Sequence, residues 1–146
     1  MSVKQISAEQ AREAMTSGGD TVYIDVRTAG EFAKGHPPNA INIPVVFPNP
    51  ATRQMEPNPD FLGVVSDHVP TGKRVIVGCQ MGGRSQMAAE IMSEAGYSDV
   101  SNMQGGFGGV RNPAGGIVTP GWLQMEYPVE TDVTATNAYE SLRGAR

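Results

Sequence analysis

A single cysteine, Cys79, stands in a chain of 146 residues. An internal disulfide is therefore excluded, and so is any metal site built from several thiolates. Long apolar runs are missing too. No stretch approaches the roughly 20 residues that cross a bilayer, and the N-terminus lacks the apolar core of a secretory leader. No membrane partner is expected, and the expected compartment is the reducing cytoplasm, where a free thiol persists. Positive charge is scarce: 11 Lys and Arg against 15 Asp and Glu leave a net charge of -4. Nonspecific nucleic-acid binding needs a basic surface, so no nucleic-acid partner is expected either. The chain holds no internal repeat.

What is present suits a soluble globular domain: 39% of residues are hydrophobic and 18% charged, within the usual range for such folds. The length fits one core. Residues 1–130 read as a single domain, and residues 131–146 as a polar C-terminal tail that frays or forms a marginal helix. Glycine and proline concentrate in two stretches, Phe47 to Asp60 and Asn112 to Gly121. The first reads as an extended loop, longer than a compact domain normally carries.

The organising stretch runs from Val75 to Met92. Val75, Ile76 and Val77 are contiguous and β-branched, as in a strand covered on both faces. Gly82 and Gly83 permit a sharp turn. From Arg84 to Glu94 there is neither Pro nor Gly, and Ala88, Ala89, Ile91, Met92 and Ala95 make a helix face that Gly96 ends. Cys79 thus falls at the C-terminal end of a strand, where open α/β sheets place their chemistry. The following amides can curl round its sulfur while the helix aims its positive end there, a setting that favours a thiolate and an adjacent anion.

Elsewhere, Gln5-Ile6, Val22 to Val26, Ala40 to Pro44 and Val100 to Met103 read as strands. Ser7 with Gln10 and Thr28 with Glu31 have the spacing of capping boxes, opening helices that close at Gly18-Gly19 and Gly35. Phe61 to His68 reads as another helix, and Trp122 to Val129 is apolar enough to pack back on the body. Strands alternating with helices predict an α/β domain with a mostly parallel sheet.

Cys79-Gln80-Met81-Gly82-Gly83-Arg84-Ser85, between a hydrophobic strand and a helix, resembles the active-site loop of the rhodanese-like sulfurtransferases. The likeness continues in Tyr23 to Arg27, Glu31-Phe32, Gly35 to Pro44 and Asn102 to Phe107, so it covers the chain to about Val110. It implies a rhodanese-like three-layer sandwich, with a central five-stranded sheet and helices on both faces. It also implies Cys79 as the catalytic residue, Gln80 to Ser85 as the anion-binding loop, and Asp25 and Arg27 as supporting residues.

Each feature also has a plainer reading. A lone cysteine is often a small buried apolar residue, but packing needs no thiol at a strand end before a polar loop. Arg84 is either a solvated helix-start charge or a contact for an anionic donor. Ser85 is a cap or a donor to the sulfur. Met81 sits at the pocket rim, as packing or as an apolar wall. Asp25 and Arg27 read as structural, with Arg27 paired to Glu31 or another carboxylate. His36 reads as a turn residue rather than a base, because an ionised cysteine needs none. Met87 and Met92 read as core. Gly105-Gly106 lacks the Lys-Ser/Thr of a phosphate loop. Two departures from the family pattern stand out: Gln80 replaces a basic residue common in thiosulfate-using relatives, and Pro37-Pro38-Asn39 replaces the usual aliphatic-Pro-Gly.

The expected function is transfer of sulfane sulfur from a small anionic donor, such as thiosulfate, to a thiol or cyanide through a persulfide on Cys79. No cofactor and no metal are expected. A cysteine phosphatase or arsenate reductase is the alternative enzyme. Phosphatase loops are one residue longer than the Cys79–Arg84 spacing, and the shorter loop suits a sulfur-sized group. The third reading is a sulfur-relay or interaction module that takes its persulfide from a partner protein.

Overall fold

A computed structural model describes residues 3–17 and 19–146. In chain order its elements are β1 (Lys4–Ile6), α1 (Ala8–Thr16), β2 (Val22–Asp25), α2 (Ala29–Lys34), β3 (Ile41–Asn42), β4 (Val46–Pro48), β5 (Met55–Pro57), α3 (Phe61–His68), β6 (Arg74–Gly78), α4 (Gly83–Glu94), β7 (Asp99–Met103), β8 (Val110–Arg111), β9 (Ile117–Thr119) and α5 (Tyr139–Leu142).

The central sheet has five strands in the order β1-β7-β6-β2-β3, and every pairing is parallel. Alternation along β2 and β6 divides the core. Ile24, Val26, Val75, Val77 and Cys79 face one layer with the apolar faces of α3, α4 and α5. Tyr23 and Ile76 face the other, with Ala8 and Ala11 of α1, Phe32 of α2, and Phe107 and Trp122. The result is an α/β three-layer sandwich. Both capping boxes form: Ser7 and Thr28 accept from the backbone N–H of Gln10 and Glu31, whose side chains accept in return. Gly18 lies outside the described residues, so the Gly18-Gly19 stop is not described there.

Three expectations change. The stretch from Phe47 to Asp60 is not a featureless loop, because β4 and β5 pair antiparallel across it. Its turn is tied by Asn49, whose Oδ1 accepts from the Ala51 N–H at 2.8 Å. Proline is compatible with this two-stranded ribbon because its missing N–H falls on an edge. The glycine-rich stretch after Val110 likewise makes a second hairpin, β8 with β9. Met87, read as core, is exposed on α4, whereas Met92 is fully buried.

The last sixteen residues fold against the body in part. Tyr139 and Leu142 are buried in the larger core cluster, Asn58 Nδ2 donates to the Tyr139 hydroxyl at 3.0 Å, and the His68 ring bonds the Leu142 carbonyl at 2.7 Å.

Candidate active site

Strand β6 ends at Gly78 and α4 begins at Gly83, so the loop between them emerges at the carboxyl edge of the sheet. Cys79 is 2% exposed. Its sulfur is not surrounded by carbon alone. The Gly82 N–H donates to Sγ at 3.0 Å, and the Ser85 Oγ lies 3.3 Å from it. The expected ring of amide donors from Gln80 to Ser85 is therefore narrower at the resting sulfur: one amide and one hydroxyl reach it. Gly82 makes its contact from φ +116°, a backbone geometry that L side chains rarely adopt. As N-cap of α4 it supplies no side-chain cap, so among the described residues the first-turn amides of α4 have no side-chain partner.

Ser85 is fully buried, and its hydroxyl has three neighbours: Cys79 Sγ, the Gly82 carbonyl at 3.2 Å, and Asn102 Oδ1 at 2.5 Å. A hydroxyl has one proton to give. Asn102 is oriented by its own Nδ2, which donates to Gln5 Oε1 at 2.9 Å. With Cys79 as a thiol, S–H donates to Ser85 Oγ and the hydroxyl donates to Asn102. With Cys79 as a thiolate, the hydroxyl proton can turn to the sulfur. Asn102 belongs to β7, and its role was absent from the sequence reading because only the sheet order brings it here.

The loop is fastened from outside as well. The Cys79 and Gln80 carbonyls accept from the N–H groups of Phe107 and Gly108 at 2.8 and 3.0 Å. Gly106 is in van der Waals contact with this loop: a Cβ there would stand 2.5 Å from the Cys79 carbonyl oxygen. The Asn102 to Phe107 block is thus the buttress of the cysteine loop.

The two arginines near the loop are neutralised. Arg27 binds Asp25 through Nε and Nη2, the latter at 2.7 Å, and donates to the Gly35 carbonyl at 2.6 Å. Its partner is therefore Asp25 and not Glu31. Burial alone would lower the Arg27 pKa; the bonds and charge of Asp25 outweigh it and raise the value. Asn42 Nδ2 ties this pair down by donating to the Asp25 and Arg27 carbonyls. Arg27 also lies over the Phe107 ring at 4.5 Å and reaches Gln80 Oε1 at 3.3 Å. Arg84 makes a two-pronged bond to Glu31 at 2.7 and 3.0 Å. That bond holds the Glu31 carboxyl at a pKa of about 2 and raises that of Arg84. Arg84 is a strut between α2 and α4, not an unpaired anion contact.

Two depressions flank the loop. One, of about 210 Å³, is lined by Arg27, Glu31, Lys34, Gly35, Gln80, Phe107 and Leu123. The other, of about 370 Å³, includes Met81, Gly82, Gln86 and Asn102. Met81 stands 62% exposed at this rim. A larger depression of about 510 Å³ lies at the opposite ends of the strands, around Asp20, Lys73 and Arg74, and holds none of the loop.

The surroundings of Cys79 invite comparison with known proteins. Residues 7–112 match the family model described as a rhodanese-like domain. Thiosulfate sulfurtransferase 16, chloroplastic, of Arabidopsis thaliana is 45% identical over 85 residues, 58% of this chain and 69% of that protein. Thiosulfate sulfurtransferase 18 of the same plant is 33% identical over 132 residues, covering 89% of this chain and 85% of that one. The crystal structure of Rv0390 from M. tuberculosis superposes with a TM-score of 0.73 at 25% identity, over 90% of this chain and 100% of that one. Several other curated relatives are longer, and the chain spans about half of their length. The matched segment contains the whole cysteine loop, its Asn102–Phe107 buttress and the Asp25–Arg27 pair, and by this match the chain belongs to the rhodanese-like domain family, several of whose members here bear the name thiosulfate sulfurtransferase.

Proposed function

We propose that the protein is a sulfurtransferase that carries sulfane sulfur as a persulfide on Cys79. The observation that supports this most is the pair of donors on the sulfur: the Gly82 amide at 3.0 Å and the Ser85 hydroxyl, at the uncapped N-terminus of a twelve-residue helix. Hydrogen bonds and a helix N-terminus both stabilise an anionic sulfur.

The Cys79 thiolate attacks the outer sulfur of a small anionic donor such as thiosulfate. A sulfur–sulfur bond forms to Cys79, the donor's own sulfur–sulfur bond breaks, and sulfite leaves with the electron pair. A thiolate or cyanide then attacks the outer sulfur, and the Cys79 thiolate is released. Fixed donors at the sulfur lower the cost of negative charge in both steps, as an oxyanion hole does for oxygen. The chemistry requires no metal and no organic cofactor. Lys34, in the 210 Å³ depression, is a cation there that forms no ion pair among the described residues. It can meet the donor's charge where Gln80 replaces the basic residue. A sulfur-relay protein as donor or acceptor is compatible with the same intermediate, and a reducing compartment such as the cytoplasm keeps the thiol available.

Phosphate hydrolysis is disfavoured by Arg84. A phosphate would have to displace the two-pronged Glu31 bond to recruit that guanidinium.

The test is intact-mass analysis after incubation with thiosulfate. A gain of one sulfur atom, reversed by cyanide and absent in Cys79→Ser, is expected. Failure of the folded wild-type chain to gain sulfur from thiosulfate or from a loaded cysteine desulfurase, with turnover of an aryl phosphate instead, would overturn the assignment.

A further inference from the structure

Away from the cysteine loop, His36 poses a separate question. It is completely buried, stacked on Phe32 with ring centroids 3.7 Å apart and planes 3° from parallel. Its Nδ1 lies 2.9 Å from the Phe32 carbonyl. A carbonyl only accepts, so Nδ1 carries the hydrogen, and the neutral ring presents a bare lone pair at Nε2. That nitrogen has no hydrogen-bond partner among the described residues. It faces Asp132 Oδ1 at 3.4 Å, close enough for charge to matter but without hydrogen-bond geometry. The Asp132 side chain is half exposed, but the Nε2 lone pair aimed at it is buried. A buried lone pair without a donor, facing a carboxylate, is unfavourable unless something positive lies between them.

A backbone bridge places the third donor, the Glu130 carboxylate. His36 and Glu130 form an antiparallel bridge, exchanging N–H···O bonds of 2.9 Å in both directions. Alternate residues of an extended segment share a side, so Asp132 falls on the same side as Glu130. Donor atoms of His36, Glu130 and Asp132 all lie within 4.8 Å of one another. The Asp132 carboxylate is itself steered by Asn137, whose Nδ2 bonds its Oδ2 at 3.4 Å and its carbonyl at 3.1 Å.

We propose that His36 Nε2, Glu130 and Asp132 bind a divalent cation of the zinc type, with water completing the shell. An imidazole with two carboxylates is a donor set that such ions accept, and donors in a tetrahedral zinc site are separated by roughly 3.4 Å. The Nε2–Oδ1 pair has this spacing, and the Glu130 oxygen, within 4.8 Å of both, would close on the ion by side-chain rotation. The Nδ1–H bond to a backbone carbonyl is the outer contact that ligating histidines characteristically make, and it fixes the ligating tautomer. A proton on Nε2 would answer one carboxylate; a dication answers both. The bound ion would pin the segment after Pro128 to the turn at Gly35-His36. That turn also presents the Gly35 carbonyl to Arg27, so the site braces the far side of the cysteine loop without touching the reacting sulfur. It stands independently of the sulfur-transfer reading.

Calorimetric titration of the full chain with ZnCl₂ should reveal one EDTA-reversible site. Asp132→Asn should weaken it at least tenfold, and Glu130→Gln/Asp132→Asn should abolish it; both residues are exposed, so the fold tolerates the changes. Cys79→Ser should leave it intact, and Co²⁺ should give a weak visible band with no sulfur-to-metal charge transfer. Zinc should also shift the His36 ring resonances. Absence of zinc binding, binding that survives in the double variant, or binding lost with Cys79→Ser would each overturn the proposal.

Discussion

Around Cys79 the decisive contacts are few, and one side chain carries two of them. The Ser85 hydroxyl links the sulfur to Asn102, so Ser85→Ala takes the hydroxyl donor from the thiolate and, in the thiol form, leaves Asn102 Oδ1 without its 2.5 Å partner. Leaving a buried acceptor bare costs about 1–3 kcal/mol. Urea unfolding of Ser85→Ala should register that loss, and the rate of persulfide formation followed by mass should fall about tenfold, as expected for one lost hydrogen bond to an anion. An unchanged rate would mean that the Gly82 amide alone serves the sulfur. A second residue-scale test concerns Gly106. A Cβ at Gly106 would overlap the Cys79 and Gln80 backbone, so Gly106→Ala should impair sulfur loading strongly while circular dichroism stays native. Cys79 and its loop were legible in the sequence because they are contiguous and flanked by a strand and a helix. Asn102 was not, because its distance from Cys79 along the chain conceals that β7 lies beside β6.

Between elements, the bond from Arg84 to Glu31 joins the start of α4 to α2. The Glu31 carboxyl is held at about 2, from an ordinary 4.5, chiefly by the Arg84 hydrogen bond. A depressed carboxyl pKa adds stability that is complete above the unfolded value and lost as pH falls through the folded one. The loss should therefore run from pH 4.5 down to about 2. Both side chains are a quarter to a third exposed, so solvent screening limits the contribution to about 1 kcal/mol. Denaturant titrations over this pH range should show a flatter slope in Glu31→Gln, and identical slopes would remove the pair from the stability account. The sequence predicted the Thr28–Glu31 capping box, since a local spacing defines it. It did not predict that Glu31 also serves Arg84, because ion-pair partners across layers depend on how the layers dock, or that Arg27 turns to Asp25, because the path of the chain after β2 decides which carboxylate its side chain meets. The two hairpins are hidden in the sequence for a related reason: their glycines and prolines are ordinary turn residues, and the pairing exists only once the chain has folded back.

At the scale of the whole molecule, the C-terminal segment closes the layer formed by α3 and α4. Leu142 and Tyr139 are at least nine-tenths buried there. Leu142→Ala should cost about 2–3 kcal/mol, the lower part of the range for such truncations, and thermal unfolding should report it as a lowered midpoint. A change within error would show that this helix adds nothing to the core. By itself the sequence determined the α/β class, the helix caps, the strand–loop–helix unit around Cys79 and the family, because these are set by local periodicity, turn chemistry and contiguous motif. Only the tertiary structure decided which donors reach the sulfur, which carboxylate holds each arginine, and that His36 meets Glu130 and Asp132. The bonds of Arg84 to Glu31, of Ser85 to Asn102 and of His36 to the 130–132 segment join parts distant in the chain, and the order of parallel strands and the docking of the C-terminal segment bring them together. The short-range contacts of Cys79 with Gly82 and of Arg27 with Asp25 depend on the backbone path of each turn, which residue type alone does not set.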